Sequence, residues 1–164
     1  MEIRPVRDEE HTEVADLTVA AYLGTGHVDD EYEPVLRDVA GRVAGAEVFV
    51  AVDDADRILG AVTYVPDRAS PYAEFDIEHA AGIRMLAVRP DSQGQGIGEA
   101  LTQECIRHAV KQGRRELILH SGLSMKAAHH MYEKLGFERD PNLDWWPTAT
   151  IELLGYRMHL NAKS

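Results

Sequence analysis

Cysteine is almost missing from this chain, with Cys105 alone among 164 residues. An intrachain disulfide is excluded, and a thiolate metal cluster is not expected. Cys105 falls in an apolar helical pattern with Ile97, Leu101 and Ala109, which points to a packed, protonated thiol. Long hydrophobic runs are missing too, since none approaches the roughly 20 apolar residues of a membrane helix. The opening Met1-Glu2-Ile3-Arg4-Pro5-Val6 reads as a first strand and not as the apolar stretch of a signal peptide. A cytoplasmic protein with no membrane partner is therefore expected. Positive charge is scarce: 17 Lys plus Arg stand against 28 Asp plus Glu, a formal net charge of −11. Such a surface repels phosphate backbones, so nucleic acid is not expected as a partner. No repeat, low-complexity tract or flexible linker divides the chain, which predicts one domain over residues 1–164. The eight histidines make no metal motif. His129 and His130 are adjacent on a helix and diverge, and His108 and His120 lack Cys or carboxylate partners at ligand spacing, so no metal is expected.

What the chain does have is a period that changes along its length. Asp8, a capping residue type, opens a helical pattern through Val14, Leu17 and Ala21. After a polar stretch at 24–30, a second helix is expected from about Glu31 to Ala44, with Val35, Val39 and Val43 along one face. Val48 to Val52 reads as a buried strand, Asp53 to Asp56 as a turn, and Ile58 to Val65 as the returning strand, ended by Pro66. Ile83 to Val88 is the next strand, closed by Pro90. Ile97, Leu101 and Cys105 mark a helix that ends near Gly113. Leu117 to His120 is a strand, and a helix from about Ser124 to Leu135 stops at Gly136. Phe137 opens a short strand, Asp140 to Thr148 is a loop, and Ile151 to Leu160 is the last strand. The order predicts an α+β (mixed α/β) fold with a mostly antiparallel sheet.

The most informative segment is Gln93-Gly94-Gln95-Gly96-Ile97-Gly98, where a strand turns directly into a helix. Glycine permits positive φ and close backbone approach. The first amides of a helix lack acceptors and the helix dipole favours an anion there, so a pyrophosphate suits the turn. Two other phosphate-binding readings fail. A P-loop needs Gly-Lys-Ser/Thr, and Gly98 is followed by Glu99. A dinucleotide fingerprint needs a third glycine where Glu99 stands and an acidic residue about 20 positions on, where Leu117-Ile118-Leu119 stands instead.

This turn, following Val88-Arg89-Pro90, resembles the acetyl-CoA signature of the GNAT superfamily of N-acetyltransferases. The later stretch Ala128 to Phe137 is similar to the family's second conserved helix, with Tyr132 four residues before Gly136-Phe137. The order of elements from Met1 to Leu160 also resembles that family, which implies a GNAT-like fold of about six to seven strands flanked by about four helices. Many members carry Asn seven residues before that Tyr, and this chain has Met125 there.

The resemblance implies transfer of an acetyl group from acetyl-CoA, by direct attack, to a primary amine of a small molecule or peptide. Leu86, Ala87 and Val88 would pair through their backbone with the pantetheine arm, one amide acting as an oxyanion donor. The amides of Gln93, Gly94, Gln95, Gly96, Ile97 and Gly98, with Glu99, would hold the pyrophosphate. Tyr132 would be the general acid for the departing thiolate. Some relatives carry a Glu base where this chain has Arg84, which cannot serve. Glu74, Asp76 and Glu78 lie just upstream, and Asp76 or Glu78 is the expected general base. Tyr22, Tyr32, Tyr72, Asp144 and Trp145 are the candidate acceptor-binding residues. A homodimer is compatible with the resemblance. The second reading is a catalytically silent fold of the same type that binds acyl-CoA as a sensor or supports a partner.

Overall fold

The computed structural model describes residues 1–160 apart from Thr25, His27 and Ser124. Its centre is an eight-stranded sheet. Strands β1 (Glu2–Pro5), β2 (Glu47–Val52), β3 (Ile58–Val65) and β4 (Ala80–Val88) pair antiparallel in that order. β4 pairs in parallel with β5 (Glu116–Gly122), and β5 pairs antiparallel with β8 (Ile151–His159). The short strands β6 (Glu138–Arg139) and β7 (Trp145–Thr148) both pair with β8. Among the described residues five α-helices cover the sheet: α1 (His11–Leu23), α2 (Glu33–Arg37), α3 (Val39–Gly45), α4 (Ile97–Lys111) and α5 (Lys126–Leu135).

Alternation along β2 explains the layers. Phe49 and Ala51 point into one core with Ile97, Leu101, Cys105 and Ala109 of α4 and Tyr132 of α5. Val50 and Val52 point the other way, into a core with Val14, Leu17 and Val39 from α1 and α3. Both faces are covered, so the strand is apolar at every position from Val48 to Val52. The predicted stripe of α4 is the most deeply buried part of that helix, with Leu101, Cys105 and Ala109 all at 0% exposure. Gly136, at φ 108°, ends α5 as expected.

The fold differs from the sequence expectation in several places. The helix expected over 31–44 is two helices, broken at Asp38. Its carboxylate accepts the Gly41 amide at 3.0 Å and caps α3. Val39 is buried, whereas Val35 and Val43 are exposed. Asp8 is not the cap of the first helix. A 3-10 turn at Asp8–Glu10 precedes α1, and it is the Glu10 carboxylate that accepts the Arg7 amide at 2.8 Å. The sheet has more than seven strands because the expected loop at 140–148 contains β7 and a 3-10 turn, Pro141–Leu143. β4 begins at Ala80, three positions before the expected Ile83. α5 starts at Lys126, and the expected start at Ser124 lies outside the described residues. Among the described residues no helix is long and apolar enough to cross a membrane.

Candidate active site

The site begins where β4 and β5 separate. They pair over four positions only, from Ala80↔Glu116 to Ile83↔Leu119. Beyond that point β4 carries a bulge. Ala61↔Ala87 and Thr63↔Arg84 leave Val62 of β3 opposite both Met85 and Leu86. Met85 has φ 54°, a left-handed conformation that a non-glycine side chain adopts at a cost of order 1–3 kcal/mol and that concentrates at functional sites. The bulge turns Leu86-Ala87-Val88 away from β5, while β5 continues to Gly122 paired on its other side with β8. Backbone groups alternate in direction along a strand, so half of those on 86–88 face the opening instead of β3.

The opened strand leads into the glycine turn. Gly94 and Gly96 have φ 81° and 79°, and a Cβ at either would meet nothing within 4 Å. The requirement for glycine here is therefore the sign of φ and not crowding. Gly96 is the N-cap of α4 and supplies no side-chain cap. Its carbonyl accepts the Ala100 amide at 3.0 Å, which leaves the amides of Ile97, Gly98 and Glu99 ahead of the first helical bond. A Cβ on Gly98 would lie 3.6 Å from Val88 and 3.8 Å from Leu86, so this end of α4 adjoins the opened part of β4. The Glu99 carboxylate pairs with Lys134 of α5 at 3.2 Å.

A cavity fills the wedge between the strands. Its walls are Tyr22 of α1, Ile83 to Leu86 of β4, Leu119 to Ser121 of β5, and Met125 and Tyr132. Tyr132 is 4% exposed, packs edge-on against Phe137, and makes no hydrogen bond to a described residue. Burial pushes its phenol well above the usual value, which keeps it protonated. The Ser121 hydroxyl is buried in the same wall without a hydrogen-bond partner among the described residues.

Two residues of the cavity wall, Arg84 and His120, belong to an ionic cluster with Glu74. The side chains of Arg84, Glu74 and His120 are 11%, 6% and 2% exposed. Arg84 Nε forms an ion pair with Glu74 Oε1 at 3.0 Å, and His120 Nδ1 is 3.6 Å from the same oxygen. His120 Nε2 is 2.7 Å from the Leu143 carbonyl. Burial works against the Arg84 charge, and the Glu74 carboxylate together with the hydroxyls of Tyr32 and Tyr22 outweighs it and raises the arginine's pKa. Glu74 Oε2 is buried and has no hydrogen-bond partner among the described residues.

The acceptor candidates separate into two groups. Tyr22 and Tyr32 are buried and pack in one core with Met85 and Ala87 of the bulge region. Tyr72 is half-buried and its ring lies 5.9 Å from the Arg84 guanidinium carbon. Asp144 faces elsewhere: it forms a bidentate pair with Arg139 at 2.6 and 2.7 Å and accepts the Gly155 amide at 2.7 Å. Burial would raise its pKa, and the bonds from Arg139 and Gly155 hold it below the usual carboxylate range. Trp145 is 38% exposed on β7, outside the cavity wall. The expected bases are not brought to the cavity. The Asp76 side chain is 94% exposed beside Arg68, and Glu78 is exposed beside His79. The cluster that does reach it was obscured by sequence distance. The signal that could have revealed it is a pair of polar residues, Arg84 and His120, interrupting two apolar strands one position beyond their last shared pair.

Comparison with known proteins identifies the family and the fold. Residues 5–137 match the Acetyltransferase (GNAT) family. The mycothiol acetyltransferase of Kocuria rhizophila is 34% identical over 95 residues, which is 58% of this chain and 30% of that protein. The chain thus spans less than a third of the length of that curated relative. A GNAT-family acetyltransferase from Staphylococcus aureus Mu50 superposes with a TM-score of 0.76 at 14% identity, covering 98% of this chain and 99% of that one. A protein from Salmonella typhimurium, solved with its cofactor acetyl-CoA, superposes with a TM-score of 0.70 at 18% identity, over 98% and 94% of the two chains. At these identities the structures share the fold.

Proposed function

The chain belongs to the acetyltransferase (GNAT) family, and from that premise we propose that it is an acyltransferase that moves an acetyl group from acetyl-CoA to a primary amine of a small molecule or peptide. The observation that carries the reading is continuity. The opened edge of β4, the left-handed turn at Gly94 and Gly96, and the free amides of α4 follow one another along a single path that starts at the cavity holding Tyr132. Unpaired strand edges accept an extended amide-bearing chain, and free helix amides accept a diphosphate. That donor set fits acetyl-CoA, which when bound supplies an acetyl group activated as a thioester.

The residues then divide the work. Backbone groups of Leu86, Ala87 and Val88 would hold the pantetheine arm, and one of their amides would donate to the carbonyl oxygen. The amides from Gln93 to Gly98, with Glu99, hold the pyrophosphate. Tyr132 enters the reaction protonated because burial raises its pKa. The same burial makes its proton harder to release than that of a free phenol, so Tyr132 would give it up only to a strongly basic group such as a departing thiolate. Tyr22, Tyr32 and Tyr72 shape the acceptor side, around Arg84.

Calorimetry with acetyl-CoA and CoA, followed by thiol-reagent detection of CoA release across a panel of alkylamines, amino-acid amides and lysine peptides, tests the proposal. Saturable heat with amine-dependent release is the expected result. Heat without release from any amine would instead mean a silent acyl-CoA-binding protein, and no heat at millimolar ligand would end the reading.

A further inference from the structure

Resting on the reading of acetyl-CoA as the donor, we propose that the Ser121 hydroxyl is a further binding group for it, and that it holds the acyl-pantetheine end by a hydrogen bond to a carbonyl there. β5 pairs with β8 without a break from Glu116↔His159 to Gly122↔Leu153, so its side chains alternate along its whole length. Leu117 and Leu119 point into the core that holds Tyr132, so Ser121 lies on that face and His120 on the other. Leu86 and Val88, from the opened part of β4 across the wedge, pack against the same core. Ser121 stands two positions beyond Leu119, the last residue that β5 shares with β4. The hydroxyl is thus on the Tyr132 face of the wedge, in one cavity wall with Tyr132 and Leu86.

Its lack of a partner is the second observation. Ser121 is 4% exposed, and among the described residues it is the one buried hydroxyl with no hydrogen bond. Other buried hydroxyls are engaged. Thr18 donates to the Val14 carbonyl and Thr102 to the Gly98 carbonyl, each at 2.7 Å, and Thr148 donates to the Asp29 carboxylate at 2.6 Å. A hydroxyl taken from water and left unpaired opposes folding, and a ligand that brings the partner removes the penalty.

The surroundings select the kind of partner. The wall about Ser121 is apolar, with Ile83, Leu86 and Met125, and its other polar group on this face is the phenol of Tyr132. Arg84 and His120 stand on the opposite face, each one position off a residue of the Tyr132 core. A neutral site of this kind suits a neutral carbonyl, to which a serine hydroxyl can donate. Tyr132 is reserved for the departing sulfur. The donor has a carbonyl on either side of that sulfur, one in the thioester and one in the last amide of the arm.

The test uses the full chain as wild type, as Ser121→Ala, and as the matched pair Ser121→Thr and Ser121→Val, whose side chains share one shape and differ by the hydroxyl. Melting of the ligand-free protein is read beside calorimetry with acetyl-CoA, CoA and adenosine 3′-phosphate 5′-diphosphate, which has the diphosphate without the arm. Ser121→Ala should melt no lower than wild type and is expected to rise by about 2–4 °C, because the group removed had no partner. It should bind acetyl-CoA about tenfold more weakly and the armless fragment as wild type does. Loss for CoA as well assigns the bond to the arm amide, and loss for acetyl-CoA alone assigns it to the thioester, and each supports the proposal. Ser121→Thr should bind acetyl-CoA about tenfold more tightly than Ser121→Val, a difference that a packing role would not produce.

Wild-type affinity for acetyl-CoA in Ser121→Ala, or equal affinities in the Thr and Val variants, overturns the proposal and leaves acetyl transfer standing. So does a lowered melting temperature, or a fragment weakened as much as acetyl-CoA, since either means that the hydroxyl serves the scaffold. No heat from acetyl-CoA with the wild type overturns this proposal and the function together. The Thr and Val pair decides alone if Ser121→Ala does not fold, and Ser121→Ala decides alone if the pair does not.

Discussion

The two sides of the cleft are built from different materials. The side formed by 86–88, the glycine turn and the start of α4 presents backbone groups, with apolar side chains on Leu86, Ala87 and Val88 and none at Gly94, Gly96 and Gly98. The opposite side presents Glu74, Arg84 and His120, charged or titratable groups drawn from three separate segments and buried together. A backbone-built surface serves a ligand that is always the same, because its demands on the sequence are only conformational. A side-chain-built surface sets the chemistry and the choice of the variable reactant. The difference teaches where a substitution will act on folding, on turnover or on donor affinity.

That division can be broken, or made sharper, by substitution. The largest effect is expected at Arg84. Arg84→Met leaves the Glu74 carboxylate buried without its cation and should cost about 3–5 kcal/mol, read from the denaturant midpoint. A loss below about 1 kcal/mol would mean that water already reaches the cluster. Next is Tyr132→Phe at the seam between the two sides. It should lower kcat about a hundredfold with acetyl-CoA affinity unchanged, and unaltered turnover would remove the tyrosine from the mechanism.

Gly96→Ala should cost roughly 1–2 kcal/mol, because its φ of 79° is left-handed, and should weaken acetyl-CoA binding in calorimetry. Asp144→Asn is expected to cost about 1 kcal/mol at neutral pH. The native carboxyl has a depressed pKa, so its contribution is present above the unfolded value of about 3.9 and fades as pH falls through the folded one. Wild type and Asp144→Asn should therefore converge in acid melts. The smallest effect belongs to Asp76→Asn and Glu78→Gln, which should change stability by less than about 0.5 kcal/mol and leave kcat alone. A large fall in kcat for either would move the acceptor chemistry onto the 67–79 loop.

How much of this could be read beforehand follows the same division. The α4 stripe, the β2 run and Gly94 with Gly96 depend on local period and local φ, and each stands where the residues imply. The bulge was hidden, because a methionine inside an apolar strand gives no sign of a positive φ. Asp38 was hidden within an otherwise helical pattern. β7 was hidden because Trp145-Trp146-Pro147-Thr148 contains a proline, which a strand paired on one side tolerates. The Glu74 and His120 pairing exists only once β4 and β5 lie side by side. Gly155 is part of the same arrangement. It stands opposite His120 in β8, and a Cβ there would overlap Leu143, whose carbonyl fixes the imidazole.

Cys105 has a use outside the reaction. It is fully enclosed beneath α4, and burial pushes its thiol pKa up. A maleimide or disulfide probe can reach it only when that helix lifts from the sheet. The rate of tagging under native conditions is then a built-in gauge of how often the main core opens. The gauge reports on the scaffold while the cleft is altered at will.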